Sequence, residues 1–558
     1  MEQRFDRFYR YDELTRILQG LAGERPELFV LESIGKSHEG RDIWVVTATH
    51  GGAAADKPAF WIDGNIHAGE LTASTACLYF LYTLAEGFGK DADITRLLES
   101  RALYVCPRIN PDGAEWALAD KPKYIRSSTR PYPFDEEPVD GLNVEDIDGD
   151  GRMLSMRIPD PNGPYKAHPE DARLMIPRDP VESGGEYWRI LPEGRLTNFD
   201  GVEIRMNRDK QGLDLNRNFP SGWRQEFQQV GAGPYPTSEP EVRAVVDFIV
   251  RHPNLGAGVS FHTHSGVILR PFSGEPDDNM PPEDLWLYRL FGKKSTELTG
   301  YKNISIFHDF KYHPKQVITG GFDWIYEHLG QFFWTVEIWA PAKEAGIEDY
   351  HFIDWYREHP PEDDLKLLRW SDRELDGAGY VTWYPFEHPQ LGPVELGGWN
   401  KLGVFRNPPK KYLEREVKRF PGWLVWQALT LPKLEVFKAE ATRVDADVWR
   451  VRLAVQNTGY LPTYVTKRAL ERKVTRGVVY EIELEGAATL VGGKPRVEGA
   501  QLEGRASKPS LQAFLPNPEL TGDRGQCEWT VRAPSGGVVT LVARHDRAGR
   551  VRAVVELA

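Results

Sequence analysis

The chain predicts an α/β fold, a mixed central sheet with helices on both faces, followed by a C-terminal all-β sandwich. Two observations carry the first part. Short buried-type strands such as "PAFWIDGNI", "RALYVCPRI", "GAGVSFHTH" and "FFWTVEIW" alternate with helical stretches, the pattern of one large sheet packed between helices. Those strands are apolar at nearly every position, as a sheet covered on both faces requires. A third observation carries the sandwich. From "LTLPKLEV" onward the text changes to short alternating strands punctuated by turn residues.

The elements follow in order. "YDELTRILQGLAGERPELF" has apolar residues at helical spacing, with Asp12 as its cap. "RDIWVVTAT" and "PAFWIDGNI" are strands, and "LTASTACLYFLYTLAEG" is a helix closed by Gly87. "RALYVCPRINPDG" is a buried strand stopped by Asn-Pro-Asp-Gly. Residues from about 127 to 213 are rich in Pro, Gly and Asp and weakly periodic, and read as a long irregular insertion. Pattern returns with "GLDLNRNFPSGW" and the helix "SEPEVRAVVDFIVRHP", where Ser238 and Glu241 suit a capping box. Residues from about 345 to 430 read as a helical and aromatic-rich extension. The expected division is an α/β domain over 1–430 and a β-sandwich over 431–558.

Composition narrows the function. The 558 residues carry a formal net charge of -13, which argues against a nucleic-acid partner, since phosphate binding needs clustered Lys and Arg. It argues equally against a surface for anionic lipid. The longest apolar stretch, Thr75 to Ala85, is too short to span a bilayer. The N-terminus is charged from its second residue and lacks a signal-peptide core. The chain as written therefore reads as soluble and cytoplasmic. A secreted protein trimmed of its leader gives the same text. The three cysteines form no disulfide framework and no Cys-x-x-Cys pair; Cys77 and Cys106 lie in apolar runs and read as core residues.

The chemistry starts at "DGNIHAGELTAS", Asp63 to Ser74. His67 and Glu70 stand three residues apart before an apolar run. They are either two ligands of one metal ion or part of an ordinary strand-to-helix turn, where Gly69 suits the turn and the helix dipole favours a Glu. A catalytic zinc wants three protein ligands and an open fourth position, and two His with one Glu is a standard set. "VSFHTHSG" offers His262 and His264 where a buried strand runs out, the place open α/β sheets put ligand sites. The two share a strand face, so spacing leaves both open. Glu337 sits in "FFWTVEIWAP"; a carboxylate in such a strand is costly unless paired or used. Arg217 lies between Asn216 and Asn218, as a site residue or as a structural tie between loops.

Together these residues resemble the zinc carboxypeptidase family, the carboxypeptidase A-like metallopeptidases. The resemblance runs over about residues 8 to 340, with one long interruption, through "HAGE", "NPDG", "KYIRSSTR", "GLDLNRNFP", "SFHTHSG", "GGFDW" and "TVEIW" in that order. It implies that His67, Glu70 and His262 hold one catalytic zinc, preferring His262 to His264. It implies that Glu337 is the general base and that Arg126 polarises the scissile carbonyl. Asn216 and Arg217 match the pair that holds the substrate's terminal carboxylate, and a guanidinium fork fits a carboxylate bidentately. The implied activity is a zinc-dependent metallocarboxypeptidase that hydrolyses the C-terminal peptide bond of peptides by metal-activated water. Its partner is a peptide or small amide with a free C-terminal carboxylate. The rivals are a zinc amidase acting on small acyl-amino acids or peptidoglycan stem peptides, and a catalytically silent binding module.

The chain departs from the family in three places. The position of the family's mobile tyrosine, four residues before the Gly-Gly, is Gln316, with Tyr312 nearest. The stretch between Arg126 and Asn216 is longer than in compact members and is expected to build a rim over the cleft. The C-terminal sandwich exceeds the small accessory domain of some members. Phe322 lies in the segment that lines the specificity pocket in relatives. No acid stands there, so an apolar or aromatic C-terminal residue is expected rather than Lys or Arg. The insertion also contains "EDIDGDGRM", where Asp146, Asp148, Asp150 and Gly151 match the opening of a calcium loop. Its twelfth position is Arg157 instead of Glu, so the calcium expectation stands beside a solvated Asp-Gly turn.

Overall fold

The computed structural model describes residues 4–134, 140–207, 210–310, 318–506 and 520–558. Its centre is a mixed eight-stranded sheet. In chain order the strands are β1 (Phe29–Lys36), β2 (Asp42–Ala48), β3 (Ala59–Gly64), β4 (Ala102–Cys106), β5 (Leu255–Thr263), β6 (Val267–Arg270), β7 (Lys302–Ser305) and β8 (Phe332–Ile338). Across the sheet they run β1-β2-β4-β3-β5-β8-β6-β7. The middle, β4-β3-β5-β8, is parallel, and β1, β2 and β6 add antiparallel pairings.

The apolar strands are explained by two cores, one on each face. Phe60 and Ile62 of β3 enter one core with the helices Leu71–Gly87 and Pro282–Thr299; Ala59 and Trp61 enter the other with the helix Pro240–Arg251. Successive residues of a strand face opposite ways, so both faces must be apolar when both are covered. Gly64 ends β3 where the helix Leu71–Gly87 crosses closest. A Cβ there would lie 2.8 Å from the Ala73 carbonyl, so only glycine allows the approach.

Two local expectations are corrected. The helices over Tyr11–Glu24 and Pro240–Arg251 are preceded by Arg10 and Glu239, so Asp12 and Ser238 are not their caps. The insertion is not irregular. It forms strands at Gly141–Val144, Ser155–Pro159, Tyr165–Ala167, Met175–Pro177, Trp188–Pro192 and Gly194–Thr197. Four of these join the hairpin Tyr380–His388/Gly392–Trp399 of the extension in a six-stranded sheet, through the pairing of Glu395–Gly397 with Ser155–Arg157. These strands are short and half-exposed, too short for alternation to show.

Beyond residue 433 two four-stranded antiparallel sheets face each other. Trp449 and Trp529 of one and Tyr480 and Leu541 of the other share a single core, the packing of a sandwich. Arg547 docks this unit onto the first. Its buried guanidinium donates to the Gly330 carbonyl at 2.8 Å, the Tyr464 carbonyl at 3.1 Å and the Leu329 carbonyl. Among the described residues no helix is long and apolar enough to cross a membrane.

Candidate metal centre

His67 and Glu70 occupy the turn between β3 and the helix Leu71–Gly87. Asn65, at φ 58°, folds that turn and donates from its side chain to the His67 carbonyl at 2.7 Å. β5 lies beside β3, and its register sets Ser260 opposite Asp63. On its other side, β8 sets Glu337 opposite His262. The strand ends therefore bring His67, Glu70, His262 and Glu337 to one place, which is what parallel sheets do at their carboxyl ends.

The three expected ligands converge. Glu70 places Oε1 3.0 Å from His67 Nδ1 and Oε2 3.0 Å from His262 Nδ1. The two Nδ1 atoms lie 3.1 Å apart. The outer nitrogens decide what these atoms are. His67 Nε2 lies 3.1 Å from Asp214 Oδ1, and a carboxylate only accepts, so Nε2 carries the proton. His262 Nε2 lies 3.2 Å from Ser260 Oγ, whose own proton goes to Asp63 Oδ1 at 2.5 Å, so here too Nε2 is the donor. Both Nδ1 atoms then turn lone pairs toward each other and toward a carboxylate. A bound cation would satisfy all three facing acceptors. Tetrahedral zinc with arms of about 2.0–2.1 Å has ligand edges of roughly 3.3 Å; the two Nδ1 atoms 3.1 Å apart, each 3.0 Å from a different Glu70 oxygen, have spacings of that size. Partners on the outer nitrogens are the usual support of metal-binding histidines.

Charge is distributed accordingly. Burial opposes the ionisation of Glu70, yet the two histidines hold its carboxyl well below the ordinary range. Burial also opposes Asp214, and Arg126, Arg217 and His67 outweigh it in the same direction. Glu337 goes the other way: burial raises its carboxyl, and the Glu70 carboxylate beside it adds to the rise. Burial pushes the Asp63 carboxyl up to about 6 against the bonds from Ser260 and Trp61.

Asp214 is the residue that sequence reasoning missed. Besides His67 it accepts from Arg126 Nε at 2.8 Å and from the Asn216 backbone at 2.9 Å, and it lies 4.0 Å from Arg217 Nη2. Its place between Leu213 and Leu215, both fully buried, was the available signal. Arg126 also reaches within 3.8 Å of Glu70. Asn216 Oδ1 accepts from the Gly321 backbone at 2.9 Å, which sets the expected carboxylate cradle against Gly320–Phe322. Phe322 is buried there. Its neighbour Asp323 is occupied by the Ser273 backbone at 3.1 Å, the Ser273 hydroxyl and the Gly320 backbone at 3.0 Å.

The remaining expectations sort as follows. His264 lies outside the triangle; its ring meets Tyr356 edge-on, 5.5 Å between centroids, and its Nδ1 has no partner among the described residues. Gln316 and Tyr312 lie outside the described residues. In the Asp-rich loop, Asp146 and Asp148 gather with Glu193, not with Asp150, whose carboxylate pairs with Arg152. Asp146 accepts from the backbones of Gly149, Asp150 and Gly151, the pattern of a tight Asp turn. Arg157 bonds Glu395 at 2.7 Å. A second missed residue is Arg406 of the extension, whose Nη1 lies 3.6 Å from Glu70 Oε1 and 3.3 Å from the Thr263 carbonyl.

Comparison with known proteins follows the same lines. Residues 433–556 match a domain of unknown function. Carboxypeptidase A2 of Mus musculus is 25% identical over 287 residues, 49% of this chain and 49% of that protein. Carboxypeptidase B2 of Rattus norvegicus is 24% identical over 358 residues, 62% of this chain and 67% of that protein. The chain thus spans about half the length of the first of these relatives and two thirds of the second. A crystal structure of thrombin activatable fibrinolysis inhibitor aligns with a TM-score of 0.44 at 17% identity, over 76% of this chain and 74% of that one. The family described as zinc carboxypeptidase matches residues 14–135 and 188–359, more than half of the sequence, broken where the insertion lies. The chain belongs to the zinc carboxypeptidase family.

Proposed function

We propose that the protein is a zinc-dependent metallocarboxypeptidase that removes the C-terminal residue of peptides. The observation that supports this most is the Asp214 joint: one buried carboxylate ties the His67 side of the metal triangle to Arg126, Asn216 and Arg217. A peptide whose terminal carboxylate meets Arg217 is thereby registered on the ion one residue away. His67, Glu70 and His262 hold the zinc, which when bound supplies a Lewis acid that lowers the pKa of water and polarises a carbonyl.

The chain's own residues do the rest. Asn216 and Arg217 bind the carboxylate and orient the scissile bond. Arg126 is fixed through its Nε by Asp214, and its Nη1, 3.8 Å from Glu70 beside the metal centre, stands where it would meet the developing oxyanion. Glu337 takes a proton from the attacking water and returns it to the leaving amine; its raised carboxyl suits a base that must accept and then release a proton. Phe322 and the fully engaged Asp323 leave no free acid for a basic side chain, so the departing residue is apolar or aromatic.

The test is the terminal carboxylate. Losing one member of a buried charge pair costs ~2–5 kcal/mol, roughly 30- to several-thousand-fold at about 1.4 kcal/mol per decade. Arg217→Ala should lower kcat/KM on a free-acid peptide by that range. The same peptide amidated at its C-terminus should be poor for the wild type and lose little more in the variant. Equal cleavage of free-acid and amidated peptides by the wild type would replace this reading with a zinc amidase.

A further inference from the structure

A cavity of about 570 Å³ opens beside the metal centre. Its apolar lining comes from three parts of the chain. Met153 and Leu154 belong to the insertion, Trp355 and Tyr356 to the end of the family-matched segment, and Leu402 and Phe405 to the extension. Met153, Leu154, Leu402 and Phe405 lie outside the segments that the family matches. Neither Asn216 and Arg217 nor Gly320–Phe322 line it. It meets the metal centre through His264, two residues after His262, and through Arg406, 3.6 Å from Glu70.

We infer that this cavity is the acyl-side specificity pocket of the enzyme, taking the bulky aromatic or branched aliphatic side chain of the residue just before the scissile bond. The inference rests on the carboxypeptidase reading for its direction. With the terminal carboxylate on Arg217 and the scissile carbonyl at the His67, Glu70, His262 centre, the acyl part must leave away from Arg217. An extended chain advances ~3.3–3.6 Å per residue, so the first acyl-side residue arrives at His264 and Arg406. The volume lies in the range of sites that enclose a small guest, ~300–1,000 Å³, and leaves ample room for one large side chain.

The polar groups of Trp355, His359 and Asp364 in the lining are engaged with their neighbours. The Trp355 indole N–H donates to Asp363 at 2.9 Å, and its ring stacks on His359, 4.4 Å between centroids. His359 holds Asp364 at 3.2 Å. The lining thus offers carbon surface to a guest. At the junction the situation reverses: the unpartnered His264 Nδ1 and the Arg406 guanidinium are placed to bond the guest's backbone.

The experiment compares substrates that differ only before the scissile bond. Burying a phenylalanine side chain is worth ~1.5–3 kcal/mol, roughly ten- to hundredfold. N-acetyl-Phe-Phe should therefore exceed N-acetyl-Gly-Phe in kcat/KM by that factor. Met153→Trp, which narrows the cavity, should reduce the preference, and Met153→Ala should retain it. Binding is read separately, by titrating the zinc-loaded protein with N-acetyl-phenylalaninamide and N-acetyl-glycinamide, which lack the carboxylate that Arg217 would hold. The phenylalanine amide should bind more tightly, in Arg217→Ala as in wild type, with a smaller advantage in Met153→Trp. Free-acid hydrolysis with equal rates for Gly and Phe, or equal binding of the two amides, overturns the pocket and leaves the carboxypeptidase reading standing. Failure to cleave any free-acid peptide, with the amide preference intact and sensitive to Met153, overturns the carboxypeptidase reading and with it the acyl-side assignment, leaving the cavity as a site for a bulky apolar side chain.

Discussion

Asp214→Asn is the sharpest test of the site. The substitution keeps the shape and removes the charge. With its oxygen toward His67 Nε2, the new amide sets its NH2 against Arg126 Nε, now 2.8 Å from Asp214 Oδ2, and two donors face each other. Flipped, it sets the NH2 against the His67 N–H and favours the tautomer that protonates Nδ1, the nitrogen aimed at the metal. Either orientation sacrifices one partner. Loss of such an outer partner typically weakens metal binding 10–100-fold, about 1.4–2.7 kcal/mol. Arg126 also loses its anchor, so kcat/KM should stay depressed after zinc is saturating. Asp214 is held well below the ordinary carboxylate range, by burial opposed and by Arg126 first among its stabilisers. A depressed acid contributes stability above its unfolded value, about 3.9, and loses it only as the pH falls through the lower folded value. A neutral assay therefore lies on the plateau. Equilibrium competition with a chromophoric chelator, followed by rates at saturating zinc, reads both effects. Unchanged zinc affinity would show that Asp214 does not orient His67, and full activity at saturating zinc would show that Arg126 does not depend on it.

Two further outcomes are expected. Glu337→Gln should bind zinc normally and lose at least ~10²-fold in rate, the lower end for a positioned acid–base group; near wild-type turnover would assign the base elsewhere. Asp284, which accepts from the Lys467 and Arg468 backbones and from Tyr326 where the two units meet, is raised by burial from 3.8 to about 6. A raised acid makes the folded state the better proton binder, so its contribution to stability falls as pH rises from the unfolded to the folded value and is constant above. The span is worth roughly 3 kcal/mol at 1.36 kcal/mol per unit. Asp284→Asn should destabilise at low pH, where an N–H loses its acceptor, and should flatten the decline between pH 4 and 6. Denaturant unfolding at a series of pH values reads the difference, and parallel curves for the two proteins would refute the assignment.

The central sheet was legible because two covered faces force strands that are apolar throughout, and such runs stand out in text. The metal triangle was legible by resemblance more than by spacing. Nothing local separates His262 from His264. The structure separates them by the Ser260–Asp63 relay, which reaches His262 because residues 260 and 262 share a strand face. Asp214 escaped because a carboxylate that touches no substrate has no motif of its own. Its signal was burial between two leucines, and burial belongs to the fold. Arg406 escaped for a plainer reason. It arrives 336 residues after Glu70, from a segment with no periodicity that points to the metal.

The insertion and the extension show how such a segment can still be specific. Read separately, each is a stretch of weak pattern between better ones. Paired, Ser155–Arg157 and Glu395–Gly397 make them one sheet, and Arg157 fastens it by bonding Glu395 at 2.7 Å while lying over the rings of Trp188 and Trp383. Walls held by backbone pairing keep the spacing of a pocket more precisely than side chains on free loops do. Strand pairing between residues 238 positions apart supplies that rigidity to Met153 and Leu154, which immediately precede the paired strand. Leu402 and Phe405 gain it from the other side, where they follow Trp399, the last residue of the hairpin. The twelfth position of the Asp-rich loop, where a calcium site would need a glutamate, is thus taken by the arginine that fastens the sheet. Ahead of that strand, Asp146 turns the chain by accepting three backbone N–H groups.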